Sequence, residues 1–128
     1  MNKILFSSAT PHWATPKSLY YDLDQEFCFT DDPCPLHGEG GLNRAWGRST
    51  FCNPPYGREI GKWIEKGYLE SRKGKTVVFL LPSRTDTKWF QDYILPFAKE
   101  VRFIRGRLKF GSAKNSAPFP SLIAIFKT

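Results

Sequence analysis

The sequence contains no long run of apolar residues, and this absence argues against a membrane protein. Its most apolar stretch is Thr76–Leu81, whereas a membrane-spanning helix needs about 20 consecutive apolar residues. The first residues of the chain include only a short apolar-rich run, too short for the hydrophobic region of a secretion signal. We therefore expect no membrane association and no export.

Cysteine is scarce as well, with three residues in a chain of 128. An odd number of cysteines in a chain that is not exported is typical of reduced thiols. The spacing of Cys28, Cys34, His37 and Cys52 matches no zinc-finger or zinc-ribbon pattern. We expect no disulfide, no metal and a single domain over residues 1–128, because a chain of this length buries enough surface to fold without such links.

Acidic residues are sparse in the second half of the chain. Residues 65–128 hold 13 basic and five acidic side chains, a net charge of +8, whereas residues 1–64 hold six basic and seven acidic ones, a net charge of −1. A positive surface concentrated in one half suits a polyanion, most often nucleic acid. The alternative is a protein that is basic without binding one.

Helical and strand-like patterns alternate along the chain, which predicts an α/β fold. Thr76–Leu81 is continuously apolar and is typical of a central parallel strand that is buried on both faces. The last strands have no helix between them, which indicates an antiparallel edge. Helices are predicted over residues 16–25 with Thr15 as N-cap, over 58–72, and after a Thr85 cap to about residue 94, with a helical turn near 43–46; strands are predicted over 26–30, 49–53, 76–81, 101–104, 107–110 and 122–126.

The most informative residues are Asn53, Pro54, Pro55 and Tyr56, which directly follow a predicted strand. Ligands of open α/β sheets bind at this end of the strands, and two successive prolines fix the chain as a rigid bend there. An amino group conjugated to a ring is a poor nucleophile because its lone pair is delocalised. Two acceptors, the Asn53 side-chain oxygen and the Pro54 carbonyl, would favour a more tetrahedral nitrogen, while Tyr56 stacks on the ring and holds it in line.

Asn-Pro-Pro-Tyr at a strand end resembles the catalytic motif of S-adenosylmethionine-dependent amino methyltransferases. The wider sequence resembles the small phage-type DNA N6-adenine methyltransferases. The segments that carry this resemblance span most of the chain: Trp13–Pro16, Asp32–Cys34, Trp46 and Phe51–Tyr56, Leu80–Phe90, Gly106–Phe110 and Ser116–Ser121.

The resemblance implies a reduced Rossmann-like methyltransferase sheet, mostly parallel, with an antiparallel C-terminal edge and helices on both faces. It implies methyl transfer from S-adenosylmethionine to N6 of adenine in DNA, with the base flipped into a pocket formed by residues 53–56. A base in a duplex is stacked, so the enzyme must flip it out or act on single strands. The resemblance to phage proteins suggests a bacterial cytoplasm as the location.

Cofactor-binding residues follow from the same comparison. The resemblance implies that Asp32, Pro33 and Cys34 line the cofactor pocket and that Thr15 and Pro16 cover the methionine end of the cofactor, next to Asn53. From the residues themselves, either Asp31 or Asp32 is suited to hold the cofactor's ammonium group. Either Trp13 or Trp46 is suited to stack on its adenine, with core packing as the alternative for both.

The DNA-binding residues are predicted from charge and position. Basic residues alternate partly with Phe103 and Phe110, and we expect them to contact phosphates. Tyr56 joins this set through its contact with the flipped base. The remaining members are Arg84, Arg102, Arg105, Arg107, Lys109 and Lys114.

Two features leave other functions open. The glycine-containing loop after the first predicted strand is stretched, and no acidic residue clearly matches the usual ribose ligand. A partner in a homodimer would complete such a site, so the chain is predicted to be a monomer or a homodimer. The alternative function is a DNA-binding module with a decayed cofactor site. Cytosine N4 and a protein glutamine amide present the same planar amino group and are alternative substrates.

Overall fold

A computed structural model describes residues 13–35, 40–111 and 116–128. The helices are α1 (Lys17–Phe27), α2 (Ile60–Ser71) and α3, in which a π-helical turn (Phe90–Ile94) leads into a short α-helical one (Leu95–Phe97). A 3-10 turn spans Gly41–Asn43. The strands are β1 (Ser49–Cys52), β2 (Thr76–Pro82), β3 (Glu100–Phe103) and β4 (Ser121–Phe126).

The four strands form one mixed sheet in the order β1-β2-β4-β3. β1 and β2 are parallel, with Ser49 opposite Thr76, and β4 is antiparallel to both of its neighbours. The α/β class is confirmed, and the last two strands, β3 and β4, form an antiparallel edge as predicted. The expectation of a mostly parallel sheet is wrong, because only one of the three strand pairings is parallel. Every residue of β4 is buried, which suits its place inside the sheet, whereas the charged and half-exposed β3 suits the edge.

The sheet is covered on both faces, as predicted. β2 is central, and its alternate side chains enter two different cores. Val77, Phe79 and Leu81 pack with α2 and α3, in the core that also contains Trp46, Trp63 and Trp89. Val78 and Leu80 pack with α1 and with Phe110 and Phe119.

The predicted strand over residues 26–30 is not formed. The helical spacing of Leu23 and Phe27 continues to the end of α1, and Cys28 then adopts a left-handed conformation with φ 51° that ends the helix. Strand pairing is reduced to a single parallel bridge between Asp31 and Thr50. Segment 29–31 therefore runs beside β1 without forming a strand.

Three smaller expectations also fail. Pro16, not Thr15, is the N-cap of α1, and it lacks a side-chain hydrogen bond. Thr87, not Thr85, stabilises the start of α3, because its hydroxyl accepts from the Phe90 amide at 3.3 Å. Residues 107–110 form no strand, because Phe110 turns into the core and the only backbone bond of this segment to residues 116–128 joins the Ala117 amide to the Leu108 carbonyl.

A buried carboxylate ties α2 to the loop before β1. Glu70 is 1% exposed and accepts hydrogen bonds from Lys66 at 2.7 Å, from Lys75 at 2.5 Å and from the Trp46 amide at 3.2 Å. Burial acts to raise the pKa of Glu70, but the hydrogen bonds from the lysines and the amide outweigh it and lower the pKa to about 2. Glu70 therefore stays charged at neutral pH and fixes the approach to β1.

Candidate active site at the carboxyl edge of the sheet

Several chain segments end at the same edge of the sheet. β1 and β2 are parallel, so Asn53 and Arg84, which follow them, lie toward the same edge. The bridge between Asp31 and Thr50 is also parallel, so Asp32 ends there too. The segment leading into β4 arrives from the opposite direction, and its Pro120 carbonyl accepts from the Ser83 amide. The motif residues, the predicted acidic residue and the last loop therefore meet in one place.

Asn53 is held with its side-chain oxygen free. It is 9% exposed, and its Nδ2 donates to the Trp13 carbonyl and to the Thr15 hydroxyl, the latter at 3.0 Å. A carbonyl only accepts, so the amide nitrogen must face this segment. Oδ1 is buried and has no hydrogen-bond partner among the described residues. An unpaired buried acceptor costs folding free energy and is uncommon, so this oxygen is available to a donor that binds.

The two prolines extend the site next to Asn53. Pro54 is buried and Pro55 is half-buried. Within residues 13–35, 40–111 and 116–128, neither a backbone nor a side-chain donor bonds to the Pro54 carbonyl. Two acceptors that lack local donors therefore lie on consecutive residues.

Tyr56 lies on the other side of the bend. Its ring is packed edge-on against Phe119, with centroids 5.5 Å apart, and its hydroxyl makes a long contact of 3.4 Å to the Leu80 carbonyl. Burial, followed by the proximity of Cys52, raises the pKa of Tyr56 far above its usual value. Tyr56 is therefore a neutral aromatic wall and not an acid or base at physiological pH.

A first cavity of about 320 Å³ opens on one side of Asn53. Five of the residues predicted for the cofactor line it, and they are Trp13, Thr15, Asp32, Cys34 and Asn53. Burial, with a smaller effect of Asp32, raises the pKa of the Cys34 thiol to about 11, so this wall is uncharged. Lys17 and Tyr20 also line the cavity and were not predicted. The position of Lys17, directly after the Thr15-Pro16 segment, is the sequence signal that could have identified it.

The two adjacent acidic residues have different environments. Asp31 accepts two hydrogen bonds from Arg44, at 2.7 and 2.9 Å, and one from the Gly47 amide at 2.9 Å. The contact with Arg44 lowers the pKa of Asp31. Asp32 lines the first cavity, its Oδ1 is buried with no partner among the described residues, and burial raises its pKa. Asp31 is thus used by the loop, whereas Asp32 is available to a ligand.

Other residues predicted for the cofactor do not line the first cavity. Pro16 is the N-cap of α1, and Pro33 is buried next to Asp32 and Cys34 in the chain. Trp46 is 3% exposed, stacks on Trp63 with ring centroids 6.2 Å apart, and donates from its indole to the Gly41 carbonyl at 2.7 Å. Of the two tryptophans considered for adenine stacking, only Trp13 is placed at the cavity.

A second cavity of about 420 Å³ lies on the Tyr56 side of the bend. Trp13 lines both cavities and contacts Phe119 edge-on, with centroids 5.3 Å apart. The second cavity therefore adjoins the first across the segment that holds Asn53. Its wall is aromatic with one basic side chain, and includes Tyr56, Ile60, Arg84, Trp89 and Phe119.

The predicted DNA-binding residues separate into two groups. Arg84 lines the second cavity, and Arg105, Arg107 and Lys109 are exposed and make no ion pair with a described residue. Lys114 lies outside the described residues.

Arg102 differs from the rest of this set, and the expectation that it contacts phosphate is not supported. It donates to both oxygens of Glu26, at 2.7 and 2.6 Å, and to Glu100 at 2.6 Å. These hydrogen bonds hold the pKa of Arg102 above its usual range. Its charge is thus compensated within the protein.

The described part of the chain offers neither a metal-binding cluster nor a membrane-spanning helix. Among these residues no group of three or more His, Cys, Asp or Glu side chains could hold a metal ion. None of the helices described is long and apolar enough to cross a membrane.

Comparison with known proteins identifies the family. A family model described as DNA N-6-adenine-methyltransferase (Dam) matches residues 5–128. No curated protein sequence matches the chain. Because the family match covers nearly the whole length, the chain belongs to the DNA N-6-adenine-methyltransferase (Dam) family.

Proposed function

From this family membership we propose that the chain transfers a methyl group from S-adenosylmethionine to N6 of adenine in DNA. The first cavity would hold the cofactor, the second would receive the flipped adenine, and residues 53–56 lie where the two adjoin. The observation that carries the proposal is the buried, unpartnered Oδ1 of Asn53. It is the acceptor that this reaction needs.

The first cavity fits the cofactor in its polarity as well as its size. Its volume of about 320 Å³ is within the range of small-ligand sites. The unpartnered oxygen of Asp32 suits the ammonium group, and Trp13 offers an aromatic face for the adenine. When bound, the cofactor supplies a methyl group on a positively charged sulfur. The partly buried carboxylate of Asp32 would gain the ammonium group as its partner, so cofactor binding would offset the free energy that its burial costs the fold.

Asn53 and Pro54 would activate the amino group. With Oδ1 of Asn53 and the carbonyl of Pro54 each accepting one hydrogen of N6, the lone pair is drawn out of conjugation with the ring. Tyr56 confines the ring against the second cavity wall, which fixes the direction of attack. No strong base is needed, because the nitrogen becomes acidic after methylation and loses its extra proton to solvent.

The basic side chains at the same edge would hold the DNA backbone. Arg84 stands at the second cavity, and the exposed side chains of Arg105, Arg107 and Lys109 have no acidic partner among the described residues. Such side chains bind phosphates without reading the sequence. The aromatic side chains of the second cavity would replace the base stacking that a flipped base loses on leaving the duplex.

A DNA-binding module with a decayed cofactor site is the competing function. The two unpartnered oxygens, on Asp32 and Asn53, argue against it. Each unsatisfied buried oxygen costs about 1–3 kcal/mol, and a module that binds only DNA would gain nothing in return.

Transfer of labelled methyl groups to unmethylated genomic DNA tests the proposal. The DNA is digested after incubation with methyl-labelled S-adenosylmethionine, and the labelled nucleoside is identified. Label in N6-methyl-2′-deoxyadenosine supports the proposal, whereas label in N4-methyl-2′-deoxycytidine moves the substrate to cytosine, and label only in added protein moves it to glutamine. Salt-sensitive DNA binding with no cofactor binding in a titration would instead support the DNA-binding module.

A further inference from the structure

An asparagine can use its side-chain oxygen as an acceptor only if the amide is oriented correctly. Rotation by 180° about its last bond exchanges the oxygen and the NH₂ group, which are nearly equal in size. In the rotated form, Asn53 would present two hydrogens to the substrate amino group and would repel it. The site therefore needs a contact that distinguishes the two orientations.

That contact comes from a segment about 40 residues earlier in the chain. Both hydrogens of Asn53 Nδ2 have acceptors, one on the Trp13 carbonyl and the other on the Thr15 hydroxyl at 3.0 Å. Rotation would break the bond to Trp13 and bring Oδ1 against its carbonyl, where two acceptors repel each other. The Thr15 hydroxyl can donate as well as accept, so the Trp13 carbonyl selects the orientation and Thr15 holds the amide in place beside it.

We propose that Thr15 is a positioning residue that, by anchoring the Asn53 amide beside the orienting carbonyl of Trp13, locks Oδ1 toward the substrate amino group. The inference rests on the proposed function for its catalytic consequence, but the lock itself is a property of the free protein. Thr15 also lines the first cavity. Since its oxygen accepts from Asn53, its own hydroxyl hydrogen remains free to donate into that cavity.

Thr15→Val tests this role because valine keeps the shape and removes the acceptor. One neutral hydrogen bond changes an equilibrium by about fivefold, so we expect the methyl-transfer rate at saturating cofactor and DNA to fall about fivefold or more. Thr15→Ser keeps the hydroxyl and should restore most of the rate. Thr76→Val is the matched control, since Thr76 lies at the opposite end of β2 and its hydroxyl makes no hydrogen bond with a described residue.

The pattern of changes separates positioning from other roles. If Thr15→Val weakens only cofactor affinity and leaves the saturated rate unchanged, Thr15 acts on the cofactor and the proposal is wrong. If Thr15→Ser falls as far as Thr15→Val, the hydroxyl is not the group that matters. A loss of rate that follows a loss of melting temperature would indicate a structural role.

A second measurement does not depend on activity. The two Nδ2 protons of Asn53 give a pair of NMR signals, which Asn53→Ala identifies by their disappearance. We expect Thr15→Val to shift one of them and to speed its exchange with solvent, and Thr76→Val to leave both unchanged. Unchanged Asn53 signals in Thr15→Val overturn the inference, whereas an altered pair in a protein that methylates no DNA retains the lock and refutes only the proposed function.

Discussion

Asn53→Ala should slow methyl transfer strongly while leaving most of the stability of the fold in place. The substitution removes one of the two acceptors proposed for the amino group. Loss of one preorganised polar group at a reacting centre costs about 10²–10³ in rate. We expect a fall of that size in the methyl-transfer rate at saturating cofactor and DNA.

The effect on stability is the difference between two opposing terms. Alanine loses the hydrogen bonds from Nδ2 to Trp13 and Thr15, worth about 0.5–1.5 kcal/mol each. It also removes the unpartnered Oδ1, whose burial costs about 1–3 kcal/mol. The two largely cancel, so the free energy of unfolding should change by no more than about 1–2 kcal/mol, and the melting temperature by a few degrees.

Circular dichroism melting, a cofactor titration and initial-rate measurements on the same preparation test both parts. Asn43→Ala is the matched control, since Asn43 is an exposed asparagine in the 3-10 turn and should leave rate and stability unchanged. An Asn53→Ala protein that keeps the wild-type rate would refute the assignment of Asn53. A variant that has lost its fold would refute the cancellation of the two stability terms.

Three further predictions concern charged residues. Glu70→Gln should lower the free energy of unfolding by about 2–3 kcal/mol, because the lysines that are paired with the buried carboxylate in the wild type would lose their acidic partner. In the wild type this contribution is complete above pH 4.5 and is lost as the pH falls toward 2, since folding lowers the pKa of Glu70 from 4.5 to about 2. Chemical denaturation of both proteins across that pH range tests this, and a difference in unfolding free energy that did not change with pH would contradict it. Asp32→Asn should raise the melting temperature slightly, because burial disfavours the charged carboxylate, yet weaken cofactor binding in a titration; tighter or equal binding would exclude Asp32 as a ligand. Arg107→Ala should reduce DNA affinity and the slope of its salt dependence by about 0.9, while Arg102→Ala, whose charge is already paired with Glu26, should not; equal effects would refute the separation of the two arginines.

Local patterns predicted the elements that depend on local sequence. The apolar run of β2 and the helical spacing of α2 were sufficient, and the proline bend after β1 placed Asn53 at the right edge of the sheet. α1 was predicted too short, because Phe27 fits the helix and the following strand equally well by spacing. Tertiary packing of its side chain decided between them.

Features that depend on distant residues could not be predicted from the sequence. The position of β4 inside the sheet follows from which strands pair, and strand spacing does not reveal this. Arg102 was counted among the DNA-binding residues because its partner Glu26 is 76 positions away. Asp31 and Asp32 were equivalent in the sequence, and it is the fold that pairs Asp31 with Arg44 and places Asp32 at the first cavity.

The proposed methyl transfer is tested most directly in cells. The chain and its Asn53→Ala variant are expressed in a bacterium whose DNA contains no N6-methyladenine, and nucleosides from the genome are measured by mass spectrometry. We expect N6-methyladenine with the wild-type chain and far less of it with the variant at equal protein level. Genomic DNA without N6-methyladenine in the presence of folded, cofactor-binding wild-type protein, or equal amounts with both proteins, would contradict this expectation.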